Sequence, residues 1–144
     1  MVIEKFELKD SLGKCDRICN PNQLNILELS PNTVSWYYNS LYHEVKNDNK
    51  LLALLLTDKE QIAIIEDLTS KKDNVAYIVN GDNKKIWDIS FIFREKNKNF
   101  GTVFFNDSYY IKNELYYFVI INSTDFRFSF NPNNGSMGKL IESR

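Results

Sequence analysis

His43 is the only histidine in the 144-residue chain, so any chemistry that needs an imidazole must run through it. Mechanisms that need two imidazoles are excluded, and with them the H-E-x-x-H zinc helix. A Ser-His-Asp triad would have to recruit His43, and no G-x-S-x-G turn accompanies it. Cys15 and Cys19 stand four residues apart. A Cys–His nucleophile pair would require one of them to reach His43 through the fold, which the sequence does not show. The three side chains together fall one short of the four ligands that a structural zinc takes. The cysteines are therefore read as free thiols packing as small apolar groups.

Phosphate-binding loops are missing as well. Neither G-x-x-x-x-G-K-[ST] nor G-x-G-x-x-G occurs, and the five glycines are scattered. "NNGSMGK", 133–139, has neither the spacing nor a following helix of adequate length. Glu66 and Asp67 are adjacent, and on a helix adjacent side chains point in different directions. The expectation is a protein with no catalytic constellation, no cofactor and no metal.

Charge says little about partners for the whole chain, whose net is −1, but the halves differ. Residues 1–70 carry 7 basic against 11 acidic side chains, net −4; residues 71–144 carry 11 against 8, net +3. Lys71, Lys72, Lys84, Lys85, Arg94, Lys96 and Lys98 gather around proposed turns, where lysines ordinarily keep sheet edges soluble. Nucleic acid is not the expected partner. The start, "MVIEKFELKDSLGK", lacks the apolar h-region of a secretory signal, and no run approaches a membrane-spanning length. A cytoplasmic location is expected, with no membrane association.

The elements that would position these residues follow from hydrophobic period. Residues 2–8 alternate weakly and 24–29 form a short apolar run, both read as strands. In "SPNTVSWYYNSLYHEV", Ser30 suits a helix N-cap and Pro31 the first helical position, and Val34, Tyr38, Leu41 and Val45 share one helical face. A helix over 31–46 is preferred to the alternative, a hairpin with "SPNT" as turn and "VSWYY" as returning strand. "LLALLL", 51–56, is read as a buried strand or the start of a helix. Thr57 and Glu60 match a capping box ahead of Ile62, Ile65 and Leu68, which predicts a second helix over 58–69.

From residue 75 the period shortens. "VAYIV", a tight turn at Asn80-Gly81, and "IWDISFIF" predict a hairpin, with Trp87, Ile89, Phe91 and Phe93 on one strand face. "TVFF", the doubly apolar 115–121 and the alternating "FRFSF" of 126–130 extend it into a meander, and 131–144 reads as a loose tail. The fold expected is one α+β domain over 1–144. Its mainly antiparallel twisted sheet contains a C-terminal meander of about five strands, with about two helices on one face.

On a helix over 31–46, Trp36 and His43 point away from the apolar face. An exposed tryptophan among polar residues is a typical interface anchor. Trp36, Asn39, His43, Glu44 and Asp48 are accordingly the expected partner-binding residues. The function expected is a non-catalytic protein inhibitor, for example a bacterial immunity protein neutralising a toxin, whose basic domain would meet acidic side chains by opposite charge. The rivals are a small enzyme or ligand carrier with a pocket between helices and sheet, and an RNA-binding module.

Overall fold

Ile62, Ala63, Ile64 and Ile65 are four consecutive residues with no exposed surface. Successive side chains of a strand point to opposite faces, so such a run needs cover on both sides. The computed structural model, which describes residues 1–10, 30–70 and 73–143, shows how the chain provides it. Among the described residues, eleven strands form three antiparallel sheets. The first holds β1 (Glu4–Lys9), β2 (Thr33–Tyr38) and β3 (Leu41–Lys46), in that spatial order. The second runs β4 (Leu51–Leu55), β5 (Gln61–Glu66), β6 (Val75–Asn80) and β7 (Lys85–Trp87). The third contains β8 (Val103–Ile111), β9 (Glu114–Ile121), β10 (Thr124–Phe130) and β11 (Ile141–Glu142), ordered β11-β10-β9-β8. One helix among the described residues, α1 (Ile89–Lys96), connects the second sheet to the third.

The second sheet is the middle layer. Leu51, Ile62, Ile64, Tyr77 and Val79 pack with Ile3, Val34 and Trp36 in one core. Ala63, Ile65, Ala76 and Ile78 point the other way and pack with Ile89 and Phe93 of α1 and with Phe105, Tyr117 and Phe128 of the third sheet. The spacing Ile62–Ile65–Leu68, read as one face of a helix, comes from a strand buried on both faces, β5, and from Leu68 in the turn that follows it. The expected α+β fold is thus overturned: the protein is mostly antiparallel sheet, with three sheets, one described helix and a C-terminal meander of four strands.

Three local readings change with it. Residues 31–46 form the β2–β3 hairpin, turned at Asn39 and Ser40 with φ of 52° and 64°. Two positive φ values in a two-residue loop match the twist of the flanking strands, and Asn tolerates that backbone well. The hairpin alternative puts the turn too early, at "SPNT", but has "VSWYY" right as a strand. No capping box forms at 57–60. Lys59 has φ of 59°, the Glu60 N–H donates to Asp58 at 2.8 Å, and the segment is the turn into β5.

The strand expected over 86–93 stops at Trp87. Asp88 caps α1 by accepting from the Phe91 N–H at 3.1 Å, and Ile89 and Phe93 are then one helical turn apart and both buried. Phe91, expected beside them, is 60% exposed. Asp88→Ala is expected to cost about 1 kcal/mol of stability in a denaturant titration, with Asp88→Asn recovering most of it.

The segment after 130, read as a loose tail, is tied back at several points. Met137 bridges to Phe130, the Trp87 indole N–H donates to the Pro132 carbonyl at 2.8 Å, and β11 pairs with β10. The strand expected over 24–29, Cys15 and Cys19 lie outside the described residues.

Candidate functional site

The β2–β3 hairpin and the turn after it sort the five expected partner-binding residues onto different sides. Trp36 faces the middle sheet and has no exposed surface. Its indole N–H donates to the Gly81 carbonyl at 2.8 Å, and its ring stacks on His43 opposite it, with centroids 5.6 Å apart. Gly81 also lets the Tyr38 ring lie against its backbone, since a Cβ there would run into that ring. Trp36 is therefore core, and its expected role as an exposed anchor is corrected: on a strand, the next residue, Tyr37, takes the other side and faces water instead. His43 is half-buried, and its Nε2 is buried without a hydrogen-bond partner among the described residues.

Asn39, Glu44 and Asp48 do face outward, in the company of residues the helical reading overlooked. Tyr37 and Tyr42 are opposite each other in register, 39% and 46% exposed, with rings edge-to-face at 5.2 Å. The Tyr42 hydroxyl donates to Glu44 Oε2 at 2.7 Å, and Lys46 Nζ lies 3.0 Å from Glu44 Oε1. These two contacts hold the Glu44 carboxyl below the usual range. Lys5 sits over the Tyr37 ring and Lys9 over Tyr42, at 5.2 and 5.9 Å. The outer face of the first sheet is thus aromatic with mixed charge. Asp48 lies in the next turn, which Asn47 anchors by donating to Glu66 and Asp67, both at 3.0 Å. The signal for the tyrosines was their symmetric placement about Asn39-Ser40, legible only once that pair is taken as the turn.

A second aromatic face lies on the outside of the third sheet. Leu115, Tyr117, Val119 and Ile121 of β9 are buried, but Tyr116, Phe118 and Ile120 on its other side are only half-buried. The second apolar face of 115–121 is thus only partly covered by the described residues. A bulge at Asn106 shifts the β8 register between Phe105 and Asp107, keeping Phe105 and Ser108 inward while Asn106 and Asp107 stay toward solvent. Tyr109 and Phe118 stack with centroids 4.4 Å apart. They border a groove of about 240 Å³ with Asn106, Asp107, Asp125 and Phe126. Burial pushes the Asp107 carboxyl above its ordinary range, against the smaller effect of the Ser108 N–H that it accepts.

Another cleft, of about 440 Å³, opens where the β8–β9 turn meets the 131–138 segment. Asn113, Glu114, Ser129, Asn131 and Ser136 line it, and α1 does not. The pocket between helix and sheet imagined for an enzyme or carrier is therefore not this one. Among the described residues no group of three or more His, Cys, Asp or Glu could hold a metal ion. Several of the basic side chains near the turns have internal partners. Arg94 donates to the Asn74 and Val103 carbonyls, Lys85 lies 3.6 Å from Asp88, and Lys98 lies 3.3 Å from Glu95. No described helix is long and apolar enough to cross a membrane.

Over almost its whole length the chain superposes on a chain from the solved structure of Tne2 in complex with Tni2. The TM-score is 0.71 at 18% identity, covering 99% of this chain and 100% of that one. At that identity the likeness is one of fold. No family model matches the chain, and no curated protein matches it.

Proposed function

We propose that the protein is a non-catalytic, protein-binding inhibitor of the immunity-protein kind, which neutralises a toxin domain by covering it. The carrying observation is the outer face of the first sheet, where Tyr37 and Tyr42 stand exposed beside a Glu44 carboxylate already held in place. Tyrosine offers a large contact area with few rotatable bonds, and a pre-positioned carboxylate spends little further entropy on binding. Asn39 and Asp48 extend the contact on either side, and Glu44 and Asp48 meet basic side chains of the toxin. The whole-length fold likeness to a chain of a two-protein complex supports the same reading. The site of action is the bacterial cytoplasm.

The test begins with capture of partners by the tagged protein from its native cell, where a single stoichiometric protein is expected. Tyr42→Ala combined with Glu44→Lys should then weaken that complex by about 10²-fold or more, as loss of a central tyrosine and reversal of its charged neighbour would require. The melting temperature should hardly change, because both side chains lie on the outer face. Undiminished affinity removes this face from the interface, and recovery of RNA in place of a protein rejects the function.

A further inference from the structure

We propose that the groove on the outer face of the third sheet is a receptor for one arginine side chain of the protein partner, with Asp107 and Asp125 as the anionic wall and Tyr109 and Phe118 as the stacking wall. The inference deepens the protein-binding reading and rests on it for the origin of that arginine.

Size is the first argument. At about 240 Å³ the groove falls below the roughly 300–1,000 Å³ of small-molecule pockets, which suits a single side chain. Its charge is the second. Glu44, Asp73, Asp88 and Glu95 each have a cationic partner within 4 Å. Neither Asp107 nor Asp125 has one among the described residues, although both line the same groove. A half-buried carboxylate left without a cation is a standing cost to the free protein, which an incoming cation would relieve.

Chemistry selects arginine. A planar guanidinium stacks on aromatic rings while its N–H fork reaches a carboxylate, and a lysine ammonium does only the second well. The same sheet face already shows this stacking, since Arg127 lies over Tyr116 with 5.8 Å between guanidinium and ring centre. Arg127 forms no ion pair with either aspartate, so it leaves their charge available. The bulge at Asn106 explains how a regular strand opens such a groove, because the extra residue leaves two adjacent side chains outward.

The test needs no partner. The full chain, isotope-labelled, is titrated at low salt with acetyl-Gly-Arg-Gly-amide and, separately, with the same peptide carrying citrulline, which keeps the shape and removes the charge. Saturable shifts at Tyr109, Phe118 and Asp107 with a millimolar dissociation constant are expected for arginine. The citrulline peptide should bind at least about 10-fold more weakly, as should the arginine peptide to the Asp107→Asn/Asp125→Asn double variant. Equal response to the two peptides, or shifts confined to the first sheet, overturns the proposal. So does self-association that shifts these same residues, since a second copy would then be the occupant. None of these results touches the capture experiment, so failure of the arginine site is distinguishable from failure of the inhibitor function.

Discussion

Replacing Trp36 with alanine is expected to destabilise the protein by about 3–5 kcal/mol, the usual cost of emptying a tryptophan site in a core. Small domains are stable by only about 5–15 kcal/mol, so the variant should unfold at a far lower urea midpoint or fail to accumulate. The effect is large because the ring has three roles at once. The indole fills the space between the first and middle sheets, packed with Val34, Leu51, Ile62 and Ile64. It stacks on His43. Its N–H also satisfies the carbonyl of buried Gly81 in the β6–β7 turn. Trp36→Phe separates these effects, keeping most of the apolar volume while leaving that carbonyl unpaired, at an expected cost of about 1–3 kcal/mol. An alanine variant within about 1 kcal/mol of the parent would mean that the ring is not buried. The result also decides how binding data are read: loss of partner by a Trp36 variant would report unfolding, whereas loss by Tyr42→Ala would report the interface.

Asn74→Ala should produce the second large loss, about 2–4 kcal/mol, although it removes only a small polar side chain. Asn74 is 1% exposed and acts as a strand partner in miniature. Its Nδ2 donates to the Phe105 carbonyl and its Oδ1 accepts from the Phe105 N–H, both at 2.7 Å. Phe105 lies on β8, which has β9 on one side and no described strand on the other. Truncation leaves a buried N–H and a buried C=O without partners, each costing about 1–3 kcal/mol. Asn74→Asp is the discriminating variant. It keeps the acceptor but sets a carboxylate oxygen against the Phe105 carbonyl, so it should be nearly as unstable as alanine at neutral pH. It should recover in part as acid protonates the aspartate and restores a donor. Denaturant midpoints for both variants from about pH 4 to 8 check this, and an alanine variant of parental stability would show that water or a neighbour replaces the amide.

Neither residue's role could be read along the chain. Trp36 reads as exposed when its segment is given a helical period, and four apolar residues at 34, 38, 41 and 45 fit that period by coincidence. Every one of them also fits a strand hairpin turned at 39–40. Asn74 resembles loop composition, and nothing local marks the strand 31 residues away that it completes. The Tyr109–Phe118 groove was hidden for a different reason. Its apolar side chains belong to the most hydrophobic stretch of the chain and to its neighbour β8, where the default for large apolar groups is burial. Phe128 obeys that default and Phe118 does so only in part.

What the amino-acid order determines unaided is local. A single imidazole excludes paired-histidine chemistry. Asn80-Gly81 marks a turn, and "FRFSF" alternates as the strand it becomes. Such features rest on backbone preferences and a two-residue period that operate within a few positions. Tertiary structure alone decided which strands received cover on one face, on both, or only in part. Ile62–Ile65 lost its alternation because two sheets enclose it, and Tyr37, Tyr42 and Phe118 remain accessible because no described element covers them fully. Period tells a side chain which side of its own strand it takes; only packing between distant segments determines whether that side meets core, water or a partner.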